Sequence, residues 1–175
     1  VDKSKGNTKP TALHFTAANQ QFLETVEQIR TAVTRELATD SLLRENGRCP
    51  GSNLRWDPAA ERNWALMAED PNKEGTSVDP VLEWLAFRAL PLLPTFPTGV
   101  RLATVAVVGR GEEMRMNWPL WSVAASVQVV KSLLRMNWER VAGAEAARGI
   151  FALCQSPIRR TSQGFGNFGP ALVTR

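Results

Sequence analysis

The sequence predicts an α+β fold, a helix-dominated compact domain carrying a small antiparallel β-hairpin or sheet. Three observations point there. Apolar residues recur at helical spacing over residues 22–37 and again over 123–134. Residues 114–118 alternate apolar and polar, as a half-buried strand does. At 175 residues and 43% hydrophobic, the chain is long enough to bury one sizeable core. The boundaries drawn on this basis are a flexible N-terminal segment over 1–11, a single globular domain over 12–155, and a basic, Gly-rich C-terminal tail over 156–175.

Thr16 stands where an N-cap would, and Phe22, Val26, Ile29, Val33 and Leu37 follow at spacings of four and three, predicting one amphipathic helix of about five turns. Gln20, Glu24, Glu27, Arg30 and Arg35 form its solvated side. Gly47, Pro50, Gly51 and Pro58 are turn chemistry, and a short helix is expected over 58–67 with Pro58 in its first turn. After Asp79-Pro80 the run from Val81 to Leu90 is apolar nearly all round, which predicts a helix packed on several sides in the core. Pro91 and Pro94 stop it.

Residues 100–108 are rich in β-branched side chains, Gly109-Arg110-Gly111 makes a turn, and Met114, Met116 and Trp118 alternate with Arg115 and Asn117. This reads as a hairpin with one buried face. Val127, Val130 and Leu134 mark a helix over 123–134, and a second helix over 138–148 ends at Gly149. A short strand over 150–154 leads into the tail.

The composition excludes several classes of function. No stretch approaches the ~20 apolar residues of a membrane span, and no signal-peptide pattern opens the chain, so a soluble cytoplasmic protein without membrane contact is expected. Cys49 and Cys154 lie far apart without a Cys/His ligand pattern, so neither a disulfide scaffold nor a metal site is expected. The only histidine, His14, has no nucleophile context to serve. No phosphate-binding glycine loop is present, and the glycines of residues 164–169 are spaced differently from a dinucleotide fingerprint. No small-molecule cofactor is expected, and the chain reads as non-catalytic. An unrecognised enzyme using Asp57 and Glu61, or His14 with Cys49, is the rival this leaves. Of the six tryptophans, Trp84, Trp118 and Trp138 fall on apolar faces and read as core; Trp56 and Trp121 stay open.

Charge supplies the positive signal. The net charge is +4, yet residues 1–100 hold 11 Lys/Arg against 13 Asp/Glu, and residues 101–175 hold 10 against 4. The second half is expected to face an anionic partner. Its tail gathers Arg159, Arg160, Gln163 and Asn167, suited to phosphate or sugar, with Phe165 or Phe168 to stack on a base or anchor the loop. Arg110, Arg115, Lys131 and Arg135 extend this basic surface. The plainer alternative is a solvated surface loop pinned by its phenylalanines.

Three strings matter together: Leu54-Arg55-Trp56-Asp57-Pro58, then Glu83-Trp84-Leu85-Ala86-Phe87-Arg88-Ala89-Leu90-Pro91-Leu92-Leu93-Pro94, then Asn117-Trp118-Pro119-Leu120-Trp121. In that order they resemble the later part of the large-subunit-type proteins of type I-G (formerly I-U) CRISPR loci, over residues 12–135. A chain opening on Val1 then reads as the C-terminal part of such a subunit or as a derived small subunit. The resemblance implies a subunit of a Cascade surveillance complex, with guide RNA, target DNA and the other Cascade subunits as partners. Base pairing would read the sequence there, while the protein holds backbone or displaced strand. A protein-interaction subunit without nucleic-acid contact is the alternative.

Overall fold

The computed structural model describes residues 11–15, 21–54, 56–57, 77–99, 101–138, 149–160 and 166–174. An α+β fold forms. Its elements are α1 (Phe22–Ala32), α2 (Arg35–Arg44), β1 (Cys49–Pro50), β2 (Ser77–Val78), α3 (Pro80–Ala89), β3 (Thr95–Thr98) and β4 (Arg101–Thr104). There follow β5 (Val107–Val108), β6 (Arg115–Trp121), α4 (Val127–Arg135), β7 (Ile150–Arg160), β8 (Gly166–Phe168) and β9 (Leu172–Thr174). They belong to two compact units: the first comprises Val1–His14, Leu90–Arg160 and Gly169–Arg175, the second Phe15–Ala89 and Thr161–Phe168. The sequence reading drew one domain over 12–155 and a separate tail; here residues 156–160 lie inside a strand of the first unit.

In the second unit, the single helix expected up to Leu37 is two helices. The chain turns extended at Val33 and Thr34, and the Thr34 hydroxyl accepts a hydrogen bond from the Leu37 N–H at 3.1 Å, so Thr34 caps α2 instead of continuing α1. Val26 and Ile29 meet Leu54 in a buried cluster, with Phe22, Trp56, Trp84 and Phe87 packed against it. Trp56 and Trp84 are therefore packing residues. The expected cap at Thr16 and helix over 58–67 lie outside the described residues.

Helix α3 begins where Asp79-Pro80 announces it. Asp79 Oδ1 accepts from the N–H groups of Val81 and Leu82 at 3.0 and 3.1 Å, and Oδ2 accepts from the Ser41 hydroxyl at 2.7 Å. Burial on several sides is not what forms. Leu82 and Leu85 are 53% and 46% exposed, whereas the carboxylate-bearing Glu83 is 4% exposed. Helical geometry turns Glu83 toward Leu54 once Trp84 and Phe87 stack at 5.6 Å, and the leucines are left on the outer side.

In the first unit, the hairpin closes where Gly109 predicts, but its first arm is short. Only Val107 and Val108 pair with β6, opposite Met116 and Arg115. Ala106 adopts φ +65°, Val105 N–H donates to Pro94 O at 3.1 Å, and Arg101–Thr104 turns back to pair with β3 instead. Gly109 sits at φ +79°, and a Cβ there would collide with the Glu113 carbonyl, so the turn requires glycine.

Helix α4 starts later than its pattern, because the Ser126 hydroxyl accepts from Val129 N–H at 3.3 Å and caps it. Leu133, Trp138 and Ile150 form the unit's buried cluster, joined by Trp121, Met136 and Leu153. Trp138 Nε1 donates to Leu133 O at 3.2 Å. The expected helix over 138–148 falls outside the described residues beyond Trp138.

Strand β7 is more than twice as long as predicted. It pairs antiparallel with β6 and β9 and stays in the sheet through Arg160. The sequence predicts a strand that stops at Cys154, yet the observed one runs on through Pro157, which has no N–H to give the ladder. The Pro157 carbonyl accepts from Gly169 N–H at 2.8 Å, Ile158 N–H donates to Met114 O at 2.8 Å, and Ser156 Oγ donates to Gly169 O at 2.7 Å. Those bonds compensate the missing donor, and the Ile158 side chain is 1% exposed.

Candidate nucleic-acid interface

Directly opposed residues of an antiparallel pair share a face. Trp121 with Ile150, Pro119 with Leu153, Asn117 with Gln155, and Arg115 with Pro157 therefore lie on one side of the β6–β7 pair, and Arg159 follows Pro157 on that side. The first end of this face belongs to the cluster that includes Leu133 of α4. Beyond it the residues become polar. Gln155 Nε2 donates to Asn117 Oδ1 at 3.2 Å, and Arg115 and Arg159 stand next along the strands. Arg115 also donates to Glu113 O at 3.3 Å.

Two guanidiniums and two amides thus share one face. Strand period brings Arg115 and Arg159 to a diagonal separation of about 7–8 Å between backbones; Arg159 is exposed, while Arg115 is half-buried with its Nε enclosed. Asn117 and Gln155 were not among the sequence candidates. Asn117 alternates in phase with Arg115 and could have been included, whereas Gln155 was beyond the point at which the strand was taken to end.

Arg159 and Arg160 do not act together. They point to opposite faces of β7. Arg160 donates to the carbonyls of Thr11, Ala12 and His14 at 2.9, 2.9 and 3.2 Å, and burial draws its guanidinium below its ordinary pKa. Its place is to tie residues 11–14 to the strand. Arg160→Ala is expected to lower stability by about 1–2 kcal/mol, because three hydrogen bonds from a charged, only partly buried donor are lost. Chemical denaturation read beside protease sensitivity near residue 12 checks this.

The remaining candidates are dispersed. Arg110 is exposed before the 3-10 turn at Gly111–Glu113. Lys131 and Arg135, four apart, share a side of α4, and neither forms an ion pair with another described residue. Asn167 is half-buried in β8 of the second unit. Phe168 beside it packs edge-on against buried Phe15 at 4.9 Å, which makes it the anchor. Gln163 and Phe165 lie outside the described residues.

Charge follows the units. The first unit holds 13 Lys/Arg and 5 Asp/Glu, the second 8 and 12. Asp57, offered for the enzyme alternative, forms an ion pair with Arg48, and Glu61 is outside the described residues. Among the described residues no three of His, Cys, Asp and Glu come close enough to hold a metal, and no helix is long and apolar enough to cross a membrane. The fold and site thus define an α+β protein with its basic charge gathered on one unit. Comparison of the chain with family models, curated proteins and solved structures finds no match.

Proposed function

We propose that the chain is a non-catalytic nucleic-acid-binding subunit of an RNA-guided type I CRISPR surveillance complex. It holds the phosphate backbone of guide RNA, target DNA or the displaced strand on the face that carries Arg115, Asn117, Gln155 and Arg159. The reading implies a cytoplasmic ribonucleoprotein with other Cascade subunits as partners. The observation that carries the binding role is the segregation of charge, 13 cationic against 5 anionic side chains in the unit that owns this face. The assembly is supported by the sequence resemblance.

Backbone contact of this kind is electrostatic and sequence-tolerant. The full chain is expected to bind single strands with an affinity that falls steeply with salt, and Arg115→Ala with Arg159→Ala to reduce the log–log slope by roughly 1.4, at about 0.7 per lost phosphate contact. Arg160→Ala should leave the slope where it was. A double variant with the wild-type slope rules out this face.

One observation favours a second reading, a protein-docking subunit: the exposed Leu82 and Leu85 on α3 of the acidic unit. It is the better account if the chain shows no affinity for single or double strands at low salt.

A further inference from the structure

The ribbon of β3 and β4 in the first unit bears an uncovered aromatic beside a guanidinium. Phe96 pairs with Ala103 and Thr98 with Arg101, so Phe96, Thr98, Arg101 and Ala103 share one face. The opposite face is rooted in the protein only at its base, since Pro97 and Leu102 nearer the tip are exposed. It carries Thr95 and Thr104, whose hydroxyls meet at 2.9 Å, and Thr104 is buried.

Phe96 is 47% exposed, and the small side chain of Ala103 across from it leaves the ring open. Arg101 is exposed on the diagonal, about 7–8 Å away between backbones, a spacing that long side chains can span. The tip is open as well: Gly99 sits at φ +62° with nothing within 4 Å of where a Cβ would be. Between Glu83 and Glu112 the sequence has no acidic residue, while Arg88, Arg101 and Arg110 fall in that interval.

An open ring, a hydroxyl and a cation on one face match a nucleotide whose base is unpaired. We infer that the β3–β4 ribbon is a single-strand site, with Phe96 stacking on one base and Arg101 holding the adjacent phosphate. The inference rests on the nucleic-acid reading above and names the ligand's form. A duplex keeps its bases stacked on one another and offers the ring no π-face, so only the phosphate contact remains for it.

The test uses the full chain with a fluorescently labelled unstructured single strand and a duplex of equal length. Phe96→Ala is expected to weaken the single strand by about 5- to 150-fold, the range for losing one stacked base, with the duplex changed by less than about 2-fold. Phe96→Leu, which keeps the apolar bulk, should lose nearly as much, and Phe96→Trp should retain affinity. Arg101→Ala should lower the single-strand salt slope by about 0.7. Equal losses on single strand and duplex, full affinity in Phe96→Leu, or no effect of Phe96→Ala on a wild-type protein that binds single strands would each overturn the ribbon site and leave the Arg115–Arg159 face standing. A wild-type chain that binds neither probe would overturn both.

Discussion

Glu83→Gln is expected to stabilise the protein by about 3 kcal/mol above pH 7 and to leave stability near pH 4 almost unchanged. Burial pushes the Glu83 carboxyl up from 4.5 to about 7, against the backbone N–H groups of Leu54 and Trp56, which lower it; the negative charge of Asp57 adds to the rise. Oε2 accepts from Leu54 N–H at 3.1 Å, whereas Oε1 is buried and has no hydrogen-bond partner among the described residues. The folded state therefore keeps a proton that the unfolded chain releases. Below about pH 4.5 both states are protonated and this residue adds no pH dependence. Between about 4.5 and 7 the folded state binds more protons, so stability falls as pH rises, and above 7 the full cost of a buried ionised carboxylate remains. A glutamine keeps the carbonyl acceptor for Leu54 without the charge. Urea unfolding of both proteins from pH 4 to 8 checks it, and parallel stability curves across that range would show that Glu83 is not the group responsible.

Asp79→Ala should cost about 2–3 kcal/mol, since it removes the cap of α3 and the acceptor of a buried hydroxyl at one stroke. Asp79 is buried, and it joins three stretches: the first turn of α3, Ser41 on α2, and the chain at Gly47. A Cβ at Gly47 would collide with Asp79 Oδ2 and the Ser41 side chain. Gly47→Ala is therefore expected to destabilise comparably by displacing the cap. The two changes should be non-additive, with Gly47→Ala milder once Asp79 is already alanine. A double-mutant cycle by denaturant unfolding reads this, and strictly additive losses would mean that Gly47 and Asp79 do not share one packing site.

Local signals proved legible where a residue acts within its own segment. Val26 and Ile29 are buried as their helical spacing requires, Asp79-Pro80 opens a helix, and Gly109 closes a turn that needs positive φ. Thr34 was a readable cap too, but the apolar periodicity ran across it, and a hydroxyl capable of capping α2 outweighed the continuity of the pattern. The reach of β7 beyond Cys154 is not legible locally, because the bonds that hold it there join Pro157 and Ile158 to Gly169 and Met114, residues distant in sequence.

The candidate site divides along the same line. The cationic surplus of the second half, and the membership in it of Arg115 and Arg159, could be read from residue types and order, since charge needs no partner to exist. Which side chains share a face could not. Neighbours in sequence such as Arg159 and Arg160 are separated by the strand period, while Arg115 and Arg159 meet through pairing of β6 with β7. Phe96 is open because the ribbon pairs it with Ala103, and Glu83 is shifted because the fold closes over it. The sequence by itself determined the α+β class, the separation of charge along the chain and the local starts and turns. Only the tertiary structure decided the faces, the buried carboxylate and the reach of β7, because each depends on contacts between residues distant in sequence.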